Sequence, residues 1–179
     1  MRWVEPMGLA AALWVAISVV VTAPSFADDG LDARRREAGH PATSEARLQM
    51  LAEDPHWEVR QVVARNGRAS QALLAKLARD PHVQVRIAVA TNVTTAEETF
   101  AVLARDSVEA VRSVVAWFVY VPGSALTVLA QDTSPDVRLN VAGNLNATQE
   151  ILEALLRDGD AEVADKAQWA LQRLEDREH

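Results

Sequence analysis

Asp and Arg recur at fixed spacing in this 179-residue chain. Asp54, Asp80, Asp106, Asp132 and Asp158 form one series, and Arg60, Arg86, Arg112 and Arg138 another, each Arg six residues after an Asp. A row of guanidinium groups is able to bind phosphates or carboxylates. Each Asp, however, stands where it would cap a helix, and each pair returns with the same spacing. Hydrogen bonding from one repeat to the next accounts for both series without a ligand. His56 and His82 each follow an Asp-Pro step. A shared zinc needs both nitrogens at about 2.0–2.1 Å, whereas neighbouring helices pack about 8–10 Å apart, so the two read as exposed turn residues. Asp28-Asp29 and Glu97-Glu98 read as caps or solvated faces. No Gly-rich phosphate loop, nucleophile elbow or metal-protease helix is present. The expectation is a chain with no catalytic residue, metal ligand or cofactor, and no enzyme activity.

The spacing points to the elements behind it. LAEDP begins at Leu51, LARDP at Leu77, LARDS at Leu103, LAQDT at Leu129 and LLRDG at Leu155, each 26 residues after the last. Stacking the copies gives constant columns: Val59, Val85, Val111, Val137 and Val163; Ala64, Ala90, Ala116 and Ala142; Leu48, Leu74, Phe100, Leu126 and Leu152. Self-similarity at a fixed period marks a repeat architecture. Repeats are expected at 51–76, 77–102, 103–128 and 129–154, with a partial copy at 28–50 and a polar capping copy at 155–179, where Ala164 replaces Arg. Each copy reads as two short helices. In the second, Ser70 opens a helix through Leu73, Leu74 and Leu77. Asp80-Pro81 stops it and starts the next, with Asp at the N-cap and Pro at the first helical position. Asn92 closes that helix in a left-handed conformation, and Thr95-x-x-Glu98 forms a capping box for the following copy. Helices this short are unstable alone and must stack on their neighbours.

The second helix also assigns an outer face. Residues two positions beyond the Val59 and Val63 columns lie about 200° away. These outer columns read Gln61, Ile87, Ser113, Leu139, Asp165 and Arg65, Thr91, Trp117, Gly143, Trp169. They vary while the inner columns do not. Trp117, Trp169, Ile87 and Leu139 are therefore candidate anchors for a partner, with Arg65 at the rim, because exposed apolar patches mark interaction sites and Trp is a favoured anchor. Gly143 leaves an open step between the two tryptophans, which suits an extended protein or peptide partner better than one small ring. In the third copy Phe118 replaces the Asn of other copies. Trp117, Phe118 and Tyr120 then form an aromatic cluster, an alternative site for a small ligand or glycan, or else local core filling. Trp57 is expected to cover the N-terminal edge, and Trp169 either to join the face or to pack under the C-terminal tail.

Composition narrows the classes further. Hydrophobic residues at 49% and charged residues at 24% describe a folding chain rather than a disordered one. Cysteine is absent, which removes disulfides, cysteine-ligated metals and thiol nucleophiles. A net charge of -7 opposes a broad grip on nucleic acid, and no nucleic-acid partner is expected. Met7 to Ala23 is uncharged and apolar, and small residues at Ser25 and Ala27 fit a secretory cleavage site. Residues 1–27 are read as a signal peptide cut after Ala27, placing the protein in the periplasm or outside the cell. Uncleaved, the segment would anchor the chain to a membrane facing the exported side. Lys numbers 2 against 16 Arg, a bias of GC-rich bacterial coding that favours the periplasm.

The blocks LAxDPxxxVRxxVAxN, as in Leu77 to Asn92, resemble HEAT-type helical repeats, and more closely the leucine-rich repeat variant class, over about Leu48 to Leu174. The resemblance implies an all-α, right-handed α-solenoid of about five 26-residue helix pairs. It also implies a structural role for the Asp–Arg pairs, and allows one helix of each pair to be 3₁₀. Some members of the variant class carry a cysteine-ligated iron–sulfur cluster, a feature a cysteine-free chain cannot share. Some HEAT-like proteins are DNA glycosylases with a basic concave face, which the acidic balance and the signal peptide both contradict. The function expected is an exported, non-catalytic scaffold that binds a protein or extended peptide on its second-helix, concave face.

Overall fold

Ser44, Ser70 and Thr148 each accept a hydrogen bond from the backbone N–H three residues on, and each opens a seven-residue helix. The computed structural model describes residues 30–178. In it the short helices are α2 (Glu45–Leu51), α4 (Gln71–Leu77), α6 (Glu97–Leu103), α8 (Gly123–Leu129) and α10 (Gln149–Leu155). The long ones are α1 (Leu31–Gly39), α3 (Trp57–Arg65), α5 (Val83–Ala90), α7 (Glu109–Trp117), α9 (Pro135–Gly143) and α11 (Ala161–Glu178). Both members of each pair are α-helices, so the short helix is not 3₁₀. Among the described residues there is no strand, and no helix is long and apolar enough to cross a membrane. The segment read as a signal peptide lies outside the described residues.

Three local details differ from the sequence reading. The recurring Asp does not cap its helix directly. Asp80 Oδ1 accepts from His82 N–H at 2.8 Å, and His82 is the N-cap, its Nδ1 accepting from Gln84 N–H. The Asp-Pro step is thus a turn that sets the helix start three residues later, because a short carboxylate reaches its own backbone two residues on. The capping box at Thr95 does not form. Ala96 is the N-cap of α6, and Thr95 Oγ1 donates instead to Val89 O. α5 closes on Thr91 (φ -102°, ψ 3°), and the asparagines that close α3 and α9, Asn66 (φ -70°, ψ 123°) and Asn144 (φ -76°, ψ 135°), are extended, not left-handed. Asn66, Asn92 and Asn144 are buried, and they reach backwards. Asn66 Nδ2 donates to Ala38 O at 2.7 Å, Asn92 to Ala64 O at 2.7 Å and Asn144 to Ala116 O at 2.7 Å.

The inner columns form one continuous core. Val59, Val85, Val111 and Val137 are fully buried, as are Ala64, Ala90, Ala116 and Ala142. Each long helix packs on the next, α1 on α3 through α9 on α11, while the short helices flank this row and pack chiefly on the long ones. Contacts join adjacent units, the signature of a solenoid. The helix pair runs from one short helix to the next, as in 45–70, so a frame starting at Leu51 is the same 26-residue period at another phase.

Candidate functional site

The Asp and Arg series meet across repeats. Arg60 Nε donates to Asp80 Oδ2 at 2.7 Å and Nη2 to Asp80 Oδ1 at 2.9 Å, while Nη1 donates to Asp54 O at 2.8 Å. The same three bonds return at Arg86, Arg112 and Arg138 with Asp106, Asp132 and Asp158. Arg34 pairs with Asp54 at 2.6 Å. Burial pushes the Asp80 carboxyl up, but the Arg60 hydrogen bonds and the His82 N–H more than offset it and hold it below the usual range. At Asp132 the Arg112 hydrogen bond dominates and lowers the carboxyl. All three nitrogens of Arg60, Arg86, Arg112 and Arg138 donate in these bonds. They are a brace along the rod.

The two histidines also serve the frame. His82 stacks flat on Trp57 of the preceding unit, ring centres 4.0 Å apart and planes within 8°. His56 lies against Asp54 and Arg34. Trp57 is thus a half-buried inter-repeat contact rather than an end cover. Among the described residues, no group of three or more His, Cys, Asp or Glu is placed to hold a metal.

The outer columns divide. Trp117, Arg65, Trp169 and Tyr120 are exposed, with Trp117 and Tyr120 both at 65%. Ile87 and Leu139 are half-buried and pack against the core. Phe118 is buried at 8%, its ring between Phe100 (6.2 Å) and Tyr120 (5.5 Å). It fills core in place of the ladder asparagine, so Trp117, Phe118 and Tyr120 do not form one exposed aromatic cluster. Trp117 and Leu139 do come together. With Val119, Leu145, Gly143 and Lys166 they line an open hollow of about 340 Å³ on the long-helix side. Gly143, Asn144 and Leu145 also line a second, much smaller hollow of about 20 Å³ with Trp169, Arg173 and Leu174. The tryptophans therefore flank one groove whose two hollows share Gly143, with the Lys166 side chain lying over that glycine. Trp169 is half-exposed, with Lys166 Nζ at 4.1 Å and Arg173 Cζ at 4.7 Å from its ring centre.

Val119 and Leu145 were absent from the sequence-derived candidates. They belong to the loop column Gly67, Val93, Val119, Leu145. Its last three members are all exposed, and the 26-residue register alone contains that signal. Two further hollows lie at the turns on the other edge, beside the Asp–Arg braces. That between Asp132 and Asp158 holds about 590 Å³, and its counterpart between Asp54 and Asp80 about 560 Å³. They occupy equivalent places in the repeat, which makes them a product of the stacking geometry.

No family model and no curated protein matches the chain. Among solved structures it is similar to a leucine-rich repeat variant described as having a novel repetitive protein structural motif, with a TM-score of 0.64 and 28% identity, covering 80% of this chain and 57% of that one. The chain thus spans little more than half the length of that relative. A designed armadillo repeat protein in complex with a (KR)4 peptide matches at a TM-score of 0.40 and 18% identity, over 79% of this chain and 90% of that one. The chain is a helical repeat protein, an all-α solenoid similar to the leucine-rich repeat variant.

Proposed function

We propose that this solenoid is an exported, non-catalytic scaffold that binds a protein segment or extended peptide in the groove between Trp117 and Trp169. One observation carries the reading. Trp117, Val119 and Leu145 are large, apolar and exposed along one hollow, while the side chains beneath them are packed as a core. Exposed Trp beside aliphatic groups, around a recessed floor, is the pattern of an anchor site. The groove lies on the side of the long, second helices. Arg65 and Ile87 extend the same face toward the N-terminus, outside the groove itself. Removal of the apolar segment after Ala27 would release the protein into the periplasm or medium, and retention of that segment would hold it at the membrane.

Leu139 also supports the core, so Leu145 is the better target. The double variant Trp117→Ala with Leu145→Ala should keep its helical circular dichroism. A photocrosslinking residue at position 119 should trap a partner in intact cells, and the double variant should abolish that adduct. The same crosslinker at position 79, on the turn edge, should trap none. An adduct that persists in the double variant rules out this groove. Fractionation with N-terminal sequencing tests export: a mature chain beginning at Asp28 supports it, and an intact chain in the soluble cytoplasmic fraction refutes it.

A further inference from the structure

The charge of the groove departs from that of the molecule. The chain carries a net charge of -7, yet the charged residues lining the two adjoining hollows are Lys166 and Arg173, both cations. Their charges lie against the Trp169 ring, at 4.1 and 4.7 Å, two cation–π contacts to one ring. Neither joins an ion pair or a hydrogen bond among the described residues, where other basic side chains such as Arg60, Arg86 and Lys76 find carboxylates. A ring attracts a cation but does not take up its N–H donors as oxygen does. The ammonium and the guanidinium thus retain donors for carboxylate oxygens.

Spacing adds a second constraint. The groove advances one repeat from Val119 to Leu145, and packed helices are about 8–10 Å apart. A polyproline-type extended chain rises about 3.1 Å per residue, so every third side chain keeps step with the array. We infer that the occupant of the groove is an acidic, extended protein segment whose apolar side chains recur about every third residue to meet Trp117, Val119 and Leu145, and whose carboxylates meet Lys166 and Arg173. The inference rests on the groove assignment of the preceding subsection. An anionic membrane surface shares the charge preference but not the shape, because Gly143 and the half-buried Leu139 are recessed where a flat bilayer would touch only the rim.

The test uses the purified full chain and labelled peptides of four Leu-Glu-Glu triplets, with Leu-Gln-Gln and Leu-Lys-Lys versions, followed by fluorescence anisotropy. The acidic peptide should bind at least about tenfold more tightly than the neutral one, and should weaken as salt rises, since exposed charges are screened. The basic peptide should bind least. The double reversal Lys166→Glu with Arg173→Glu, checked by circular dichroism, should invert the order. Equal binding of acidic and neutral peptides overturns the charge inference and leaves the groove reading standing. Binding of none of the three overturns both. Co-sedimentation with phosphatidylglycerol vesicles that is lost on the charge reversal, without peptide binding, assigns the cations to a membrane and also overturns the inference.

Discussion

Arg60 of one helix pair and Asp80 of the next are joined by two parallel hydrogen bonds, and the third arm of the same guanidinium holds the backbone carbonyl of Asp54. One side chain thereby fixes the turn of its own unit and the start of the following helix. A shape-matched, bidentate pair of this kind is the strong form of ion pair, and it is largely withdrawn from water, with Arg60 at 13% and Asp80 at 5% side-chain exposure. Arg60→Ala leaves the Asp80 carboxylate buried without its partner and should cost about 3 kcal/mol. Thermal melting should fall by about 6–12 °C. Contacts in a solenoid are local, so limited proteolysis should cut near the turn at residues 78–82 before it cuts the C-terminal repeats.

Acid should loosen the whole brace. Asp54, Asp80, Asp106, Asp132 and Asp158 all have carboxyls held below the usual value. A group whose folded value is depressed stabilises the fold fully above its unfolded value, about 3.9 for Asp, and that stability is lost as pH falls through the lower folded values. The melting temperature should therefore be flat with respect to these groups from neutral pH down to about 5 and then fall progressively into strong acid. Asp80→Asn should shrink the acid-dependent part of the loss. A melting curve independent of pH below 4 would contradict the assignment.

The asparagine ladder gives the same expectation for opposite substitutions at two neighbouring rungs. Asn92 is 5% exposed and serves Ala64 O, Asn66 O and Thr94 N–H. Asn92→Ala should destabilise by about 2 kcal/mol through the buried groups it leaves unpaired. Phe118 stands at the corresponding place one repeat later. Phe118→Asn restores the ladder residue but removes a ring packed between Phe100 and Tyr120. Losing a buried aromatic costs about 3 kcal/mol or more, against about 1 kcal/mol per hydrogen bond regained. Denaturant unfolding should show both variants less stable than the parent.

Gly143 separates folding from binding. It closes α9 at the groove floor, and a Cβ there would meet Lys166 Cε at 3.2 Å, the far part of a flexible side chain. Gly143→Ala should leave stability unchanged or raise it by up to about 1 kcal/mol, the helix-propensity gain. Gly143→Leu should keep the fold and fill the step between Trp117 and Trp169. The circular dichroism of the leucine variant should match the parent, while its affinity for the acidic peptide drops at least about tenfold.

The sequence alone determined the period, the helix pairs, the buried columns and the structural role of the Asp–Arg series, because a repeat writes each packing constraint several times over. A Val that must be buried in every unit appears in every unit. The tertiary structure decided what those columns cannot express. Asp turned out to shape the turn before the helix, and Asn proved to tie the backbone of the preceding unit, because both reach partners defined by the stacking of one repeat on another. Ile87, Leu139 and Phe118 sank toward the core while Val119 and Leu145 rose to the surface. Helical angle fixes a direction around one axis, but exposure depends on which neighbouring helix stands in that direction. The cations against Trp169 stand on one helix at i,i+3 and i,i+4 spacing, but the groove they border exists only where adjacent units meet, so no single stretch of chain spells it out.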